Sequence, residues 1–454
     1  MKKTLIFAYS VAMMIIAGCT QETYEQENAT LPQDNQITLT VSAVAKNAKL
    51  NGSVETRVAY GSEDATWEEG DKIFLIKGDG TTITLTLSDG AGTSTGSFSS
   101  TDPVVAGTYI PYAVSASSLT KGYVSVSEGV ITLNLTSPGG GSLADALEHD
   151  ILKGDALELT DNQTSTTITG LTTHLLSYMR FKFISESKAI TSVGMNSAGG
   201  VYRTVTIASN GTISRSDAST DVVSVSASDD GAGNYTGYFA VYGSTSTSLV
   251  AHAEDADGGK YSRLVSTKNA EYAAGNVYGK SFILSDAMVN AEATGTLSDH
   301  HWKNLGLSVK WAEYNVGSTN KDELDYTYSD YGSAVPSGWR KPTKAELSEL
   351  FYASSKTWLS VTRNAVKFSC NGNDITIGTG GIYYWWDNNA YSYGDRINNE
   401  GFNVNIWLAD NEYDVSNINT QGTVLAFSNS PYYYNFRNGA QHGYRAALRL
   451  VCDY

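Results

Sequence analysis

Residues 36–45 read Gln-Ile-Thr-Leu-Thr-Val-Ser-Ala-Val-Ala. Ile37, Leu39, Val41, Ala43 and Ala45 alternate with mostly polar neighbours. Side chains on a strand point to opposite faces in turn, so this period of two sets one apolar face on a core. The same period returns at Ile83-Leu85-Leu87 and at Ile131-Leu133-Leu135. Thr, Val, Tyr and Ile are frequent between them, as pleated surfaces favour. Asn210-Gly211, between RTVTIAS and TISRS, is a hairpin signal because both residues tolerate positive φ. Asp257-Gly258 is a second. Residues 36–284 therefore read as β throughout, in short strands joined by Gly-rich turns. That pattern indicates sandwiches rather than a parallel sheet. The stretch is long for one sandwich of ~100 residues. SPGGGSLADALEHDILKGD interrupts the strands near 137–160, so two sandwiches are expected, at 36–150 and 151–284.

Upstream, Lys2 and Lys3 precede an apolar run, Leu5 to Ile16, which is too short for a membrane-spanning helix of ~20 residues. Ile16-Ala17-Gly18-Cys19 follows. The pattern is that of a lipoprotein signal over 1–18 with Cys19 as the lipidated residue. An ordinary secretion signal with an incidental cysteine is the plain alternative. Residues 19–35, with Glu22, Glu25 and Glu27, read as an acidic tether with little to bury. Loss of 1–18 would remove Lys2 and Lys3 and move the formal charge from −16 to −18. So acidic a chain argues against a nucleic-acid partner, which requires clustered Lys and Arg.

Downstream, residues 285–299 (SDAMVNAEATGTLSD) are small, polar and aperiodic, and read as a linker. Seven of the eight tryptophans lie beyond it, which marks 300–454 as a separate domain. Thr343-Lys344-Ala345-Glu346 is a capping box, and Leu347, Leu350 and Phe351 follow at helical spacing. Cys370 and Cys452 are the only cysteines after Cys19. In an exported chain they are expected to pair, which would stabilise the domain by roughly 4 kcal/mol. Two unpaired buried thiols are the alternative.

Four segments in order, QITLTVSAVA with the following ETRVAY, TWEEGDKIFL (66–75), GLTTHLLSYMRFKF (170–183) and EYAAGNVYGKSFIL (271–284), resemble the fimbrillin family of Bacteroidetes pili. The resemblance implies two tandem transthyretin-like β-sandwiches, exported as a lipoprotein. It also implies proteolysis after an arginine, here Arg57 with Val58 as the new first residue. Loss of the first strand would then open a groove for a strand of a neighbouring subunit, which is β-strand addition. A plain surface arginine is the alternative for Arg57.

A second resemblance covers 305–454. LGLSVKWAEYNVG (305–317), GWRKPTKAELSEL (338–350) and GYRAALRLVCD (443–453) are similar to the Fibrobacter succinogenes major paralogous domain. This implies a mixed α+β, C-type-lectin-like domain. Glu313-Tyr314 stand where members often carry a cysteine. The sugar-binding calcium triplets of lectins are absent, so no calcium-bound sugar site is implied.

No catalytic constellation stands out, and the chain is expected to be neither an enzyme nor dependent on a cofactor or metal. His300-His301 has no metal-ligand spacing. The formylglycine-generating enzymes share a related fold, but their chemistry needs reactive cysteines. The tandem aromatics are more telling. In GIYYWWDNNAYSYGD (381–395) and SPYYYNF (430–436), alternation can bury only every second ring. Tyr384, Trp385, Trp386, Tyr391 and Tyr433 are candidate ligand contacts, with Asp387, Asn388, Asn411 and Glu412 as hydrogen-bonding neighbours. A core filled by these rings is the alternative. The sequence as a whole reads as an adhesive pilus subunit at the cell surface. Its expected partners are other fimbrillin subunits, a surface glycan or protein, and the outer membrane through Cys19. A stand-alone glycan-binding lipoprotein and an uncleaved pilus anchor are the other readings.

Overall fold

The structure is a computed structural model. It describes residues 37–42, 67–93, 95–136, 141–168, 171, 173–197, 199–245, 248–266, 270–315, 325–327, 335–359, 365–378, 404–407, 422–428, 433–440, 445–447 and 449–454. The fold is mainly β, with several sheets and only short helices among the described residues. Two compact units divide the chain. The first comprises Met1–Phe183, Ser192–Thr247 and Asn269–Phe282; the second comprises Ile184–Thr191, Ser248–Lys268 and Ile283–Tyr454.

The first unit is organised by the strand Lys72–Lys77. Its run Ile73-Phe74-Leu75-Ile76 is buried throughout. A continuous apolar run is what a strand covered on both faces requires. Ile73 and Leu75 join one core with Trp67, Ile83, Leu85, Phe98 and Tyr109. Phe74 and Ile76 point the other way, into a second core with Ile131, Leu133, Tyr178, Val205, Tyr238 and Val277. The sheet holding this strand is thus a middle layer. Its order is Ser165–Thr167, Ile37–Ser42, Thr95–Ser100, Thr82–Asp89, Lys72–Lys77, Gly107–Val114, Ile151–Lys153, Thr173–His174. The second core draws on strands from both sides of residue 150.

The interruption near 137–160 contains a helix, Leu143–Leu147. Ser142 caps it: its hydroxyl accepts from the Asp145 N–H, and the Asp145 carboxylate accepts from the Ser142 N–H. Five residues are too few to show a helical period. Both expected hairpins form, but only the glycine of each turn has positive φ, Gly211 at 79° and Gly258 at 86°. In each, the glycine N–H closes a tight turn onto residue 208 or 255, and the N–H of that residue bonds across to residue 212 or 259. Asn210 instead accepts the Thr212 N–H on its side chain.

The second unit is built on Leu305, Leu307, Val309, Trp311, Leu347, Leu350, Phe368 and Val451. The helix Lys344–Ala353 starts at the expected capping box, and Leu347, Leu350 and Phe351 are buried. The segment expected to be a linker is ordered instead. Ser285 caps a helix, Asp286–Val289, whose Met288 and Val289 are buried, and Thr294–Leu297 forms a strand. These two apolar residues were too isolated to register as a pattern.

The expected disulfide is also corrected. Cys370 and Cys452 are buried free thiols. They lie in different sheets: Cys370 ends a strand paired with Asn373–Gly378, while Cys452 pairs with Lys310. Cys370 Sγ donates to the Ala353 carbonyl at 3.3 Å, and burial pushes its thiol up to about 11.

A set of polar contacts joins the segments around Arg340 and Arg449. Arg340 and Val451 exchange backbone hydrogen bonds at 2.9 Å each. The Arg340 guanidinium donates to both Glu346 oxygens and to Asp453. Trp339 Nε1 donates to the Leu297 carbonyl at 2.9 Å. Arg449, fully buried, donates to the Ala312, Glu313 and Thr376 carbonyls. Arg449→Leu should remove a charged donor from three carbonyls, one of them on the buried Ala312, and lower the stability of this unit by roughly 2–4 kcal/mol. Urea melts followed by tryptophan fluorescence, which is dominated by 300–454, check this.

Candidate strand-exchange site

The first strand, Ile37–Ser42, lies inside the middle-layer sheet. On one side it runs antiparallel to Thr95–Ser100 along its whole length, Ile37 opposite Ser100 through Ser42 opposite Thr95. On the other it runs parallel to Ser165–Thr167, from Thr38 opposite Ser165 to Thr40 opposite Thr167. Among the described residues, only this three-residue strand separates it from the sheet margin. Removing 37–42 would leave a slot one strand wide, walled by the backbone of 95–100.

The floor of the slot follows from the pairing. Gly96, Phe98 and Ser100 are the buried positions of their strand. Opposite them in register stand Val41, Leu39 and Ile37. The backbone register thus sets alternate residues of the first strand opposite the buried positions of 95–100. Phe98 meets Trp67 edge to face, with ring centroids 4.8 Å apart. Gly96 is required here: a Cβ would stand 2.7 Å from Leu87 Cδ1 and 2.8 Å from Trp67 Cδ1. Gly96 passes for a turn glycine in the sequence, and neither it nor Phe98 was legible as part of a site.

The TWEEGDKIFL segment supplies the foundation. Asp71 is fully buried and accepts the Glu68 N–H on Oδ2 and the Ala116 N–H on Oδ1, both at 2.9 Å. It thereby ties the turn before the strand Lys72–Lys77 to the start of the helix Ala116–Thr120. Burial outweighs these two bonds and pushes the Asp71 carboxyl up to about 6. Beyond the end of 95–100, Asp102 Oδ2 accepts the Thr84 N–H at 2.7 Å, and the Asp102 N–H donates to Ser100 Oγ.

The structure brings together few of the residues singled out in the sequence. Cys19, Arg57 and Val58 lie outside the described residues, as do Tyr384, Trp385, Trp386, Asp387, Asn388, Tyr391, Asn411 and Glu412. Tyr433 opens the strand Tyr433–Ala440, its backbone opposite Ser428. Two tryptophans of 300–454 serve packing. Trp311 and Trp339 are buried. Trp302 is flanked by Gly295, whose Cβ would fall 2.4 Å from the ring, and by the Lys310 ammonium at 4.4 Å from its centroid.

No protein-family model matches the chain, and no curated protein matches its sequence. Among solved structures it is similar to a candidate cell adhesion protein from Bacteroides uniformis, at 16% identity and a TM-score of 0.34, over 57% of this chain and 95% of that one. It is also similar to the C-terminally truncated tip fimbrial protein Mfa3 from Porphyromonas gingivalis, at 11% identity and a TM-score of 0.31, over 55% of this chain and 96% of that one. The fimbrial anchor protein Mfa2 from the same organism gives 9% identity and a TM-score of 0.28, over 61% and 97%.

Asp71 makes a prediction about pH. Its folded-state pKa is raised from 3.8 to about 6, so between those values the folded chain holds more protons than the unfolded chain. Its contribution to stability is therefore full below about 3.8 and is lost as pH rises through about 6. The stability difference between wild type and Asp71→Asn should shrink over that window, by up to about 3 kcal/mol. Urea melts of both chains at pH 4 and pH 7 measure it.

Proposed function

We propose that this chain is an adhesive pilus subunit assembled by strand exchange. The observation that carries the reading is the placement of the first strand. It pairs with Thr95–Ser100 along its length, and among the described residues only Ser165–Thr167 lies between it and the sheet margin. A strand in that position can be withdrawn and replaced, because an incoming strand of like alternation regains the same backbone bonds. The ETRVAY segment follows it in the sequence, so a cut after Arg57 would discard Cys19 with its lipid and the strand together. Val58 would become the first residue.

The position at the tip follows from chain order. A subunit that donates a strand needs that strand free. Here the sequence resembling fimbrillins ends at Leu284, and a further folded stretch follows it. Such a subunit accepts a strand and gives none, so it ends the fibre, with 300–454 as a lectin-like binding domain at the outer end. The aromatic segment carrying Tyr384, Trp385, Trp386 and Tyr391 is assigned to a surface glycan or protein, without enzymatic activity.

The mature N-terminus tests this. Mass spectrometry of surface material should find Val58 first. Finding only lipidated Cys19 contradicts exchange and favours an uncleaved anchor or a stand-alone lipoprotein. Trp385→Ala with Trp386→Ala should reduce binding of the chain to mucin or a glycan array by roughly tenfold or more, the scale of paired aromatic anchors. Its urea melt should stay unchanged.

A further inference from the structure

The strand Lys260–Ser266 is the outermost strand of its sheet and pairs on one side with Leu249–Asp255. An outer strand normally shows its free backbone groups to water, and so invites pairing with another chain. This one does not. Tyr261, Ser262 and Arg263 are buried. The Ser262 N–H donates to the Gly306 carbonyl at 2.8 Å, and the Leu264 N–H donates to Glu349 Oε1 at 3.3 Å. These are alternate residues, which is the spacing of amides that point away from the paired neighbour.

Every group that reaches this margin is itself fixed. Glu349, buried on the helix Lys344–Ala353, holds its second oxygen on the Ser308 N–H at 2.7 Å. Arg263 donates to the Gly306 carbonyl at 3.1 Å and to the Ser262 carbonyl at 2.6 Å. Asn371 Nδ2 bonds to the Leu305 carbonyl at 2.8 Å and to Ser262 Oγ at 3.2 Å. Gly306 lies so close that a Cβ would fall 1.9 Å from the Lys260 carbonyl, and its φ of 65° also favours glycine.

We propose that residues 304–308, with Glu349 and Asn371, form an intramolecular cap that occupies the Lys260–Ser266 margin and denies it to a strand of a second copy of this chain. The inference is independent of the pilus reading, since it concerns a different strand and needs no cleavage. It assigns Gly306 and Glu349 a role in blocking association. Only a margin that is not capped remains open to a partner.

Residue-resolved hydrogen exchange on the full chain tests it. In the wild type, Ser262 and Leu264 should exchange within about tenfold of Tyr261 and Arg263, as paired amides do. Rates typical of open edge amides at Ser262 and Leu264 would overturn the cap. In Glu349→Ala, Leu264 should exchange at least about tenfold faster while Phe368 stays protected. Sedimentation velocity of that variant should show a concentration-dependent dimer that the wild type lacks. Gly306→Ala, which keeps the carboxylate, should speed Ser262 in the same way. Unchanged exchange in both variants, or an opened margin that stays monomeric, would contradict the proposal.

Discussion

Backbone N–H and C=O groups at the margin of a sheet must find partners, and buried ones cost ~1–3 kcal/mol each when they do not. This constraint meets two different solutions in the chain. At Lys260–Ser266 the partners come from Gly306 and Glu349 of the same folded unit. At Thr95–Ser100 they come from Ile37–Ser42, a strand from the beginning of the described chain. The first solution is locked by buried side chains. The second is a single strand with a three-residue neighbour outside it. In the proposed assembly the first margin stays closed and the second exchanges its strand.

The middle-layer sheet explains how the first unit could lose a strand without losing its fold. The strand Lys72–Lys77 feeds two cores, with Ile73 and Leu75 on one face and Phe74 and Ile76 on the other. Trp67, Phe98 and Leu85 hold the face opposite the register of the first strand, and Gly96 leaves them room to interlock. Withdrawal of the strand would open a slot above an assembled core.

Much of the β architecture was legible because alternation is a local property. Ile83, Leu85, Ile131 and Leu133 are buried as their period requires. The helix at Lys344–Ala353 announced itself through Thr343 and Glu346. What escaped was short or long-range. The five-residue helix at Leu143–Leu147 has no room for a period, and the helix Asp286–Val289 shows only two apolar residues. Gly96, Gly306 and Glu349 matter through neighbours far away in sequence, so nothing beside them marks them. Cys370 and Cys452, expected to pair, are buried free thiols on strands of different sheets, a long-range arrangement that nothing beside them in the sequence marks. The motif GWRKPT, which read as a family signature, proved to be the clasp of Arg340 on Glu346 and Asp453.

In the proposed assembly, the slot beside Thr95–Ser100 accepts a strand in trans. The most direct measurement uses a chain that begins at Val58, titrated with a peptide of residues 36–45, QITLTVSAVA. Amides within 95–100 should exchange rapidly in the shortened chain and regain protection as the peptide binds, while a peptide with its alternation scrambled should have no effect. Protection of 95–100 without any peptide, or indifference to the native peptide, would contradict it.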